Sequence, residues 1–222
     1  MPPIIHLRTV IFTILILIII VLIFIALRIT NEHNGVLRST TKGMALEKMS
    51  SGDIIGVSYS SFRGQLAKAF TGSPWSHVGI IIRKDTQIFV LEVGRYSSEE
   101  RGFMLKPIDD WLDFNDGRVI AWRPLIGSIP NEPIDRFIEK HQTVSEDMFV
   151  VNWLKSMYKV PYTQRQMKEK YYCSEMAAHF LQEVGVLTPI CAPAGYKPWE
   201  LIHGQLPINQ RFGYQPPMLI RD

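Results

Sequence analysis

The chain has 222 residues, with 24 Lys and Arg against 21 Asp and Glu, a formal net charge of +3 and an isoelectric point near 8.8. That excess is mild and its basic residues are interspersed with acids, so the charge does not mark a nucleic-acid partner. Two cysteines exclude a disulfide framework and fit a reducing compartment without requiring one.

Residues 1–8 form a short flank. From Thr9 to Leu27 the sequence reads TVIFTILILIIIVLIFIAL, free of charge, proline and glycine and bracketed by Arg8 and Arg28. At ~1.5 Å per residue, a run of about 19 residues spans a hydrocarbon core of about 30 Å. The competing reading, a cleaved signal peptide, has an apolar region of only ~7–15 residues and a small-residue cleavage site, whereas this run ends in Arg28-Ile29-Thr30. Residues 9–28 are therefore expected to be a retained transmembrane helix, with the lipid bilayer as partner of a single-pass protein. Arg8 and the α-amino group lie on one side, Arg28, Arg38, Lys42 and Lys48 on the other, so the positive-inside tendency points the C-terminal part to the cytosolic side.

Residues 29–51 are polar and mixed and are expected to be a juxtamembrane connector. No fixed-period repeat or low-complexity tract follows, and residues 52–222 read as one domain of about 170 residues. Asp53–Tyr59 and Arg118–Pro124 have the short, β-branched and aromatic character of strands. HVGIIIRKDTQIFVLEV reads as two strands around a polar turn, Arg83 to Gln87. Ile134 to His141 is expected to be a helix with Ile134, Phe137 and Ile138 on one face and Pro133 in its first turn. A second helix, Ser145 to Tyr158, begins at an N-cap-type serine and stops before Pro161. The last helix opens in YYCSEMAAH, with Met176, Ala177, Phe180, Leu181 and Val184 on one face and Gly185 as its C-terminal stop.

Cys173 thus falls at the first turn of that helix, where unsatisfied amides and the positive end of the helix dipole favour a thiolate. A packed structural thiol fits the same position, and a disulfide to Cys191 is a further alternative. A nucleophilic cysteine needs a base. His6 and His33 belong to the anchor and connector. His179 lies about six positions along the helix on nearly the opposite face, and His141 and His203 sit in polar surroundings where a solvated histidine is expected. His77 opens a strand after Gly72-Ser73-Pro74, a polar residue at a sheet end.

An imidazole in such a pair is oriented by a third group, and Glu92, in FVLEVG, is the only charged residue expected in the second strand of that hairpin. Strand parity decides whether it can serve. A two-residue loop at Lys84-Asp85 pairs His77 with Glu92 directly. A four-residue loop sets Glu92 opposite Gly79, diagonal to His77 on the same face, and an odd loop sends it to the other face. An exposed strand carboxylate is the alternative for Glu92.

SSGDIIGVSYS, FTGSPWSHVGIII, FVLEVG and PYTQRQMKEKYYCSEMAAHFLQEVG together resemble the circularly permuted papain-like hydrolases of the NlpC/P60 superfamily, in particular the YiiX/YaeF-type amidase group and its relatives in large DNA viruses. The resemblance covers about Gly52 to Leu187. It implies an α+β fold with an antiparallel sheet and packed helices, Cys173 as nucleophile, His77 as base and Glu92 as the third member. The order His, Glu, Cys differs from that of papain, but such triads are defined by geometry rather than chain order.

The function then expected is that of a membrane-anchored cysteine hydrolase or acyltransferase acting at a lipid-linked or peptide amide or ester. The alternative is an inactive anchored binding protein on the same fold. No cofactor is expected, and no second Cys or His lies at zinc spacing around Cys173 or His77. Trp75 and Tyr172 are candidates for lining a groove. Ser174 and Glu175 are read as helix-start residues without a catalytic role.

Overall fold

The computed structural model describes residues 37–71, 73–97, 99–146 and 170–222, together with Thr13 and Ile16. The expected transmembrane helix lies outside the described residues except for Thr13 and Ile16, which are helical. Among the described residues no helix is long and apolar enough to cross a membrane.

Eleven strands are described: β1 (Arg38–Thr41), β2 (Ile54–Ser58), β3 (His77–Lys84), β4 (Gln87–Arg95), β5 (Arg101–Pro107), β6 (Val119–Arg123), β7 (Leu125–Ile126), β8 (Ser145–Glu146), β9 (Lys170–Tyr171), β10 (Gly213–Tyr214) and β11 (Met218–Arg221). The helices are α1 (Lys42–Lys48), α2 (Phe62–Thr71), α3 (Ile108–Phe114), α4 (Asn131–His141), α5 (Cys173–Glu183) and α6 (Pro198–His203). Seven strands form one sheet in the order β1-β11-β6-β2-β3-β4-β5. Its pairs are antiparallel except β1 with β11. The class is therefore mixed α+β.

The middle strands read as almost continuous apolar runs because helices cover both faces of the sheet. Successive side chains alternate between the faces. Val78, Ile80 and Ile82 of β3 pack with Ile134 and Phe137 of α4, with Met176, Phe180 and Leu181 of α5, and with Leu201 and Ile202 of α6. Ile81 and its neighbours Ile55, Val57 and Val90 pack on the opposite face with Ala45 of α1 and with Ile108, Trp111 and Leu112 of α3. Each side chain of this size, once fully buried, contributes about 1.5–3 kcal/mol.

Buried polar groups tie these layers together. Asp53, fully buried, accepts hydrogen bonds from Ser50 N at 3.0 Å, Trp122 Nε1 at 2.8 Å and Leu125 N at 2.8 Å, fixing the start of β2 against β6 and β7. Burial pushes its carboxyl up to about 6 against the pull of those donors. Two arginines satisfy carbonyls left over at helix C-termini. Arg83 donates to Met49 O and Leu46 O at the end of α1, and Arg123 donates to Leu201 O and Gly204 O at the end of α6.

The structure departs from the sequence reading in three places. Part of the expected connector folds into the domain: Arg38–Thr41 is the edge strand β1, and α1 buries Ala45 and the following Met49. A polar sequence hid this because only one side of a short edge helix needs to be apolar. Ser145 does not cap a helix but lies in β8, paired in parallel with Lys170, and the remainder of the helix expected there lies outside the described residues. The chain also forms α2, β5 and α3, which carry mixed or short patterns that periodicity did not separate.

Candidate active site

Cys173 is the first residue of α5, after Tyr172 in an extended conformation. The first bond of the helix runs from Met176 N to Tyr172 O at 3.0 Å, so the amides ahead of it have no acceptor within the helix. Gly185, at φ +78°, ends the helix in the left-handed region that glycine adopts without strain. The helix is seated by apolar burial along its length and by two bonds at its start. Ser174 Oγ donates to Tyr196 O at 2.9 Å, and the Tyr172 hydroxyl donates to Ala194 O. Both residues are buried, so Tyr172 anchors the helix start rather than lining an open groove. Trp75 is also buried, with its ring stacked on His203 at 5.9 Å.

His77 is the first residue of β3 and pairs with Val57 of β2. The β3–β4 register places Lys84 opposite Gln87 and Ile80 opposite Leu91, so the loop is Asp85-Thr86 and Glu92 falls opposite Gly79. Of the registers the sequence allowed, this is the diagonal one, not the direct His77–Glu92 pairing. Parity is kept, and His77 and Glu92 share a face. Two glycines lie beside this diagonal reach. A Cβ on Gly79 would meet Val90 Cγ1 at 2.6 Å and Glu92 Cβ at 3.4 Å, and one on Gly94 would lie 3.4 Å from His77 Cε1.

His77 Nε2 lies 2.5 Å from Glu92 Oε2, with the histidine side chain 11% exposed and the carboxylate fully buried. Glu92 is held from three sides. Trp111 Nε1 donates to Oε2 at 3.1 Å and the Tyr96 hydroxyl donates to Oε1, so with His77 the carboxylate gathers three donors. Burial and the Glu92 charge raise Tyr96 far above the ordinary phenol range, keeping it a donor. Nε2 is engaged by Glu92, which leaves Nδ1 as the ring nitrogen open to a second partner, and Cys173 is near enough to act on the charge of the ring.

Burial alone would discharge this imidazole. Tyr59, Cys173 and Glu92 more than offset it and raise its pKa well above the ordinary histidine value. Burial also raises Tyr59 itself, so at neutral pH Tyr59 is an uncharged phenol, and the imidazolium is held chiefly by the Glu92 carboxylate. The Tyr59 ring stands 5.8 Å from that of His77. Its backbone is fixed by Ser76, whose Oγ accepts from Tyr59 N at 2.6 Å and donates to Val57 O at 3.1 Å.

His77, Glu92 and Cys173 therefore meet at one end of the sheet, His77 and Glu92 through β3 and β4 and Cys173 through the start of α5. Both cysteines are free thiols, which removes the Cys173–Cys191 disulfide. Sequence reasoning missed Tyr59, Tyr96 and Trp111. A tryptophan in the acidic stretch Ile108-Asp109-Asp110-Trp111 was the available signal, because a buried indole N–H seeks an acceptor. It also missed His141, expected to be solvated, which is fully buried because it ends α4 against Phe137 and Tyr171.

No family model matches the chain, and no curated protein matches it. Among solved structures the chain is similar to the metalloprotein yiiX from Escherichia coli O157:H7, with 18% identity over 62% of this chain and 67% of that one and a TM-score of 0.45.

Proposed function

We propose that the protein is a membrane-anchored cysteine hydrolase or acyltransferase that acts on an amide or ester, lipid-linked or peptide, through Cys173, His77 and Glu92. The observation that carries this reading is the buried Glu92 carboxylate on His77 Nε2, with Cys173 near the same ring and at a helix N-terminus. A carboxylate buried this deeply with an imidazole is a costly arrangement for packing alone, and it suits a base that must carry charge at each turn of a cycle.

In the cycle, His77 Nδ1 takes the thiol proton and Sγ attacks the acyl carbon, forming the S–C bond as the carbonyl π pair moves to oxygen. The oxyanion lies toward the α5 amides, the Cys173 N–H among them. Collapse breaks the bond to the leaving amine or alcohol, which takes the proton from His77 and leaves a thioester. Water, or an acceptor nucleophile, gives its proton to His77, attacks the thioester and releases the acyl group with return of the proton to sulfur. Glu92 stabilises the imidazolium at both stages, while Trp111 and Tyr96 hold its two oxygens in place.

The run Thr9–Leu27 supports the anchored part of this reading, with the domain of residues 52–222 and the folded stretch from Arg38 held beside the bilayer on the cytosolic side. That position favours a substrate presented at the membrane surface. The test is turnover of a panel of ester and amide substrates, acyl-lipid and peptidyl, by the full chain in detergent or bilayer discs. Hydrolysis or transfer by the wild type that disappears in Cys173→Ser supports the reading. Absence of turnover across the panel, with a normal membrane level and an unchanged cellular phenotype in Cys173→Ser, supports the inactive scaffold instead.

A further inference from the structure

The second cluster of metal-ligating side chains lies on the far side of α5, where α4 ends. His141 is the last residue of α4, and His179 and Glu183 lie one helical turn apart on α5. One ligand atom from each of the three lies within 4.8 Å of the others. Donors around a tetrahedral ion with ~2.0–2.1 Å bonds stand about 3.4 Å apart, so a small closing movement of side chains completes the set.

The orientation of each group is that of a ligand rather than of a closed hydrogen-bond network. His141 Nδ1 lies 2.8 Å from Phe137 O, which only accepts, so Nδ1 carries the proton and Nε2 the lone pair. That Nε2 is buried and has no hydrogen-bond partner among the described residues. The two imidazoles stand perpendicular with centroids 5.0 Å apart. His179 Nε2 lies 3.3 Å from Glu183 Oε2, and its Nδ1 is likewise buried without a partner among the described residues. Lys140 Nζ holds the other carboxylate oxygen, Oε1, at 2.9 Å, leaving Oε2 turned to the histidines.

A simple ion pair between His179 and Glu183 accounts for one of these contacts. It does not account for a buried nitrogen lone pair on His141, fixed in tautomer by a backbone carbonyl and without a hydrogen-bond partner among the described residues. A backbone carbonyl on the distal nitrogen of a histidine and a cation on the distal oxygen of a carboxylate are the supports that metal ligands carry.

We propose that His141, His179 and Glu183 form a second site, separate from the Cys173 thiol, that binds one divalent transition-metal ion of the zinc type. Two imidazole nitrogens and one carboxylate oxygen match the borderline donors such an ion prefers, and the partly exposed Glu183 side leaves room for water in the fourth position. Bound there, the ion joins the end of α4 to the third turn of α5, the helix that begins with Cys173, and fixes that helix in place.

The experiment uses the full chain in detergent, stripped with a chelator and titrated with zinc chloride against a chromogenic competitor. Wild type and Cys173→Ser are each expected to bind one Zn²⁺ per chain with affinities equal within about twofold, while Glu183→Gln weakens binding by about tenfold or more. His141→Phe is expected to abolish it. Cobalt loading of the wild type gives a second readout that needs no variant to fold: tetrahedral visible absorption without a thiolate-to-metal band. Failure of the wild type to bind zinc, loss of binding in Cys173→Ser, a thiolate band with cobalt, or unchanged affinity in Glu183→Gln each overturns the proposal.

Discussion

Glu92 stands opposite Gly79 in the β3–β4 ladder, yet its carboxylate lies 2.5 Å from the ring of His77, two residues away along β3. The diagonal contact passes beside Gly79 and Gly94, where a Cβ would already touch Glu92 Cβ and His77 Cε1, each at 3.4 Å. A branched residue at Gly94 meets the imidazole directly. Gly94→Val is therefore expected to leave the sheet folded, lower turnover by roughly tenfold or more, and weaken His77-dependent alkylation of Cys173. Circular dichroism together with iodoacetamide kinetics checks this. Retained reactivity would mean that the ring position does not depend on that gap.

Glu92→Gln keeps an oxygen for His77 but loses the charge that steadies the imidazolium. Turnover is expected to fall by roughly 10–100-fold with KM nearly unchanged, because the loss is felt when the ring is charged. Steady-state kinetics of the variant, with its thermal unfolding as a control, separates this outcome from misfolding.

The raised His77 pKa also makes stability depend on pH. The folded ring binds its proton more tightly than the unfolded one, so the folded state is favoured most below about pH 6.5, the unfolded value. That advantage is lost as pH rises through the higher folded value. Urea midpoints measured from pH 5 to 9 are expected to fall on the alkaline side, and to fall less in Glu92→Gln. A profile identical in the two proteins would show that Glu92 does not hold the charge.

Much of this site was legible in the sequence because hairpin parity is a counting rule: an even loop keeps His77 and Glu92 on one face whatever its length. The helix beginning at Cys173 was legible for a similar reason, since its apolar residues repeat at helical spacing and Gly185 ends it. The supports of Glu92 were not. Tyr96 lies four residues beyond Glu92, across the end of β4, and Trp111 comes from α3, and neither contact has a local pattern that sets its distance. The fold of residues 38–49 was hidden for a third reason, as β1 borrows its pairing from β11 at the far end of the chain.

That last point sets the boundary of a stable fragment. A chain starting at Gly52 lacks β1, the buried Ala45 and Met49, and the carbonyls that Arg83 caps. It is expected to lose on the order of 3–5 kcal/mol or to aggregate, whereas one starting near Leu37 keeps the whole sheet. Thermal unfolding of the two fragments decides between them, and equal melting temperatures would make α1 dispensable.

Asp53 offers a test of the core that leaves the site untouched. Asp53→Ala strands two buried donors, Trp122 Nε1 and Leu125 N, together with the part-buried Ser50 N, and is expected to cost about 3 kcal/mol or more. Denaturant unfolding of the purified variant measures it, and a cost under about 1 kcal/mol would show that water replaces the carboxylate.

The central claim is that Cys173 becomes an acylated nucleophile by giving its proton to His77. Its most direct measurement is the intact mass of the full chain, quenched in acid after brief exposure to an activated acyl ester, followed by peptide mapping. The account predicts one added acyl group on the Cys173 peptide in the wild type, an adduct formed roughly 100-fold or more slowly in His77→Ala, and none at that peptide in Cys173→Ser. Acylation of Cys191 in place of Cys173, or a rate at Cys173 that His77→Ala leaves unchanged, would contradict it.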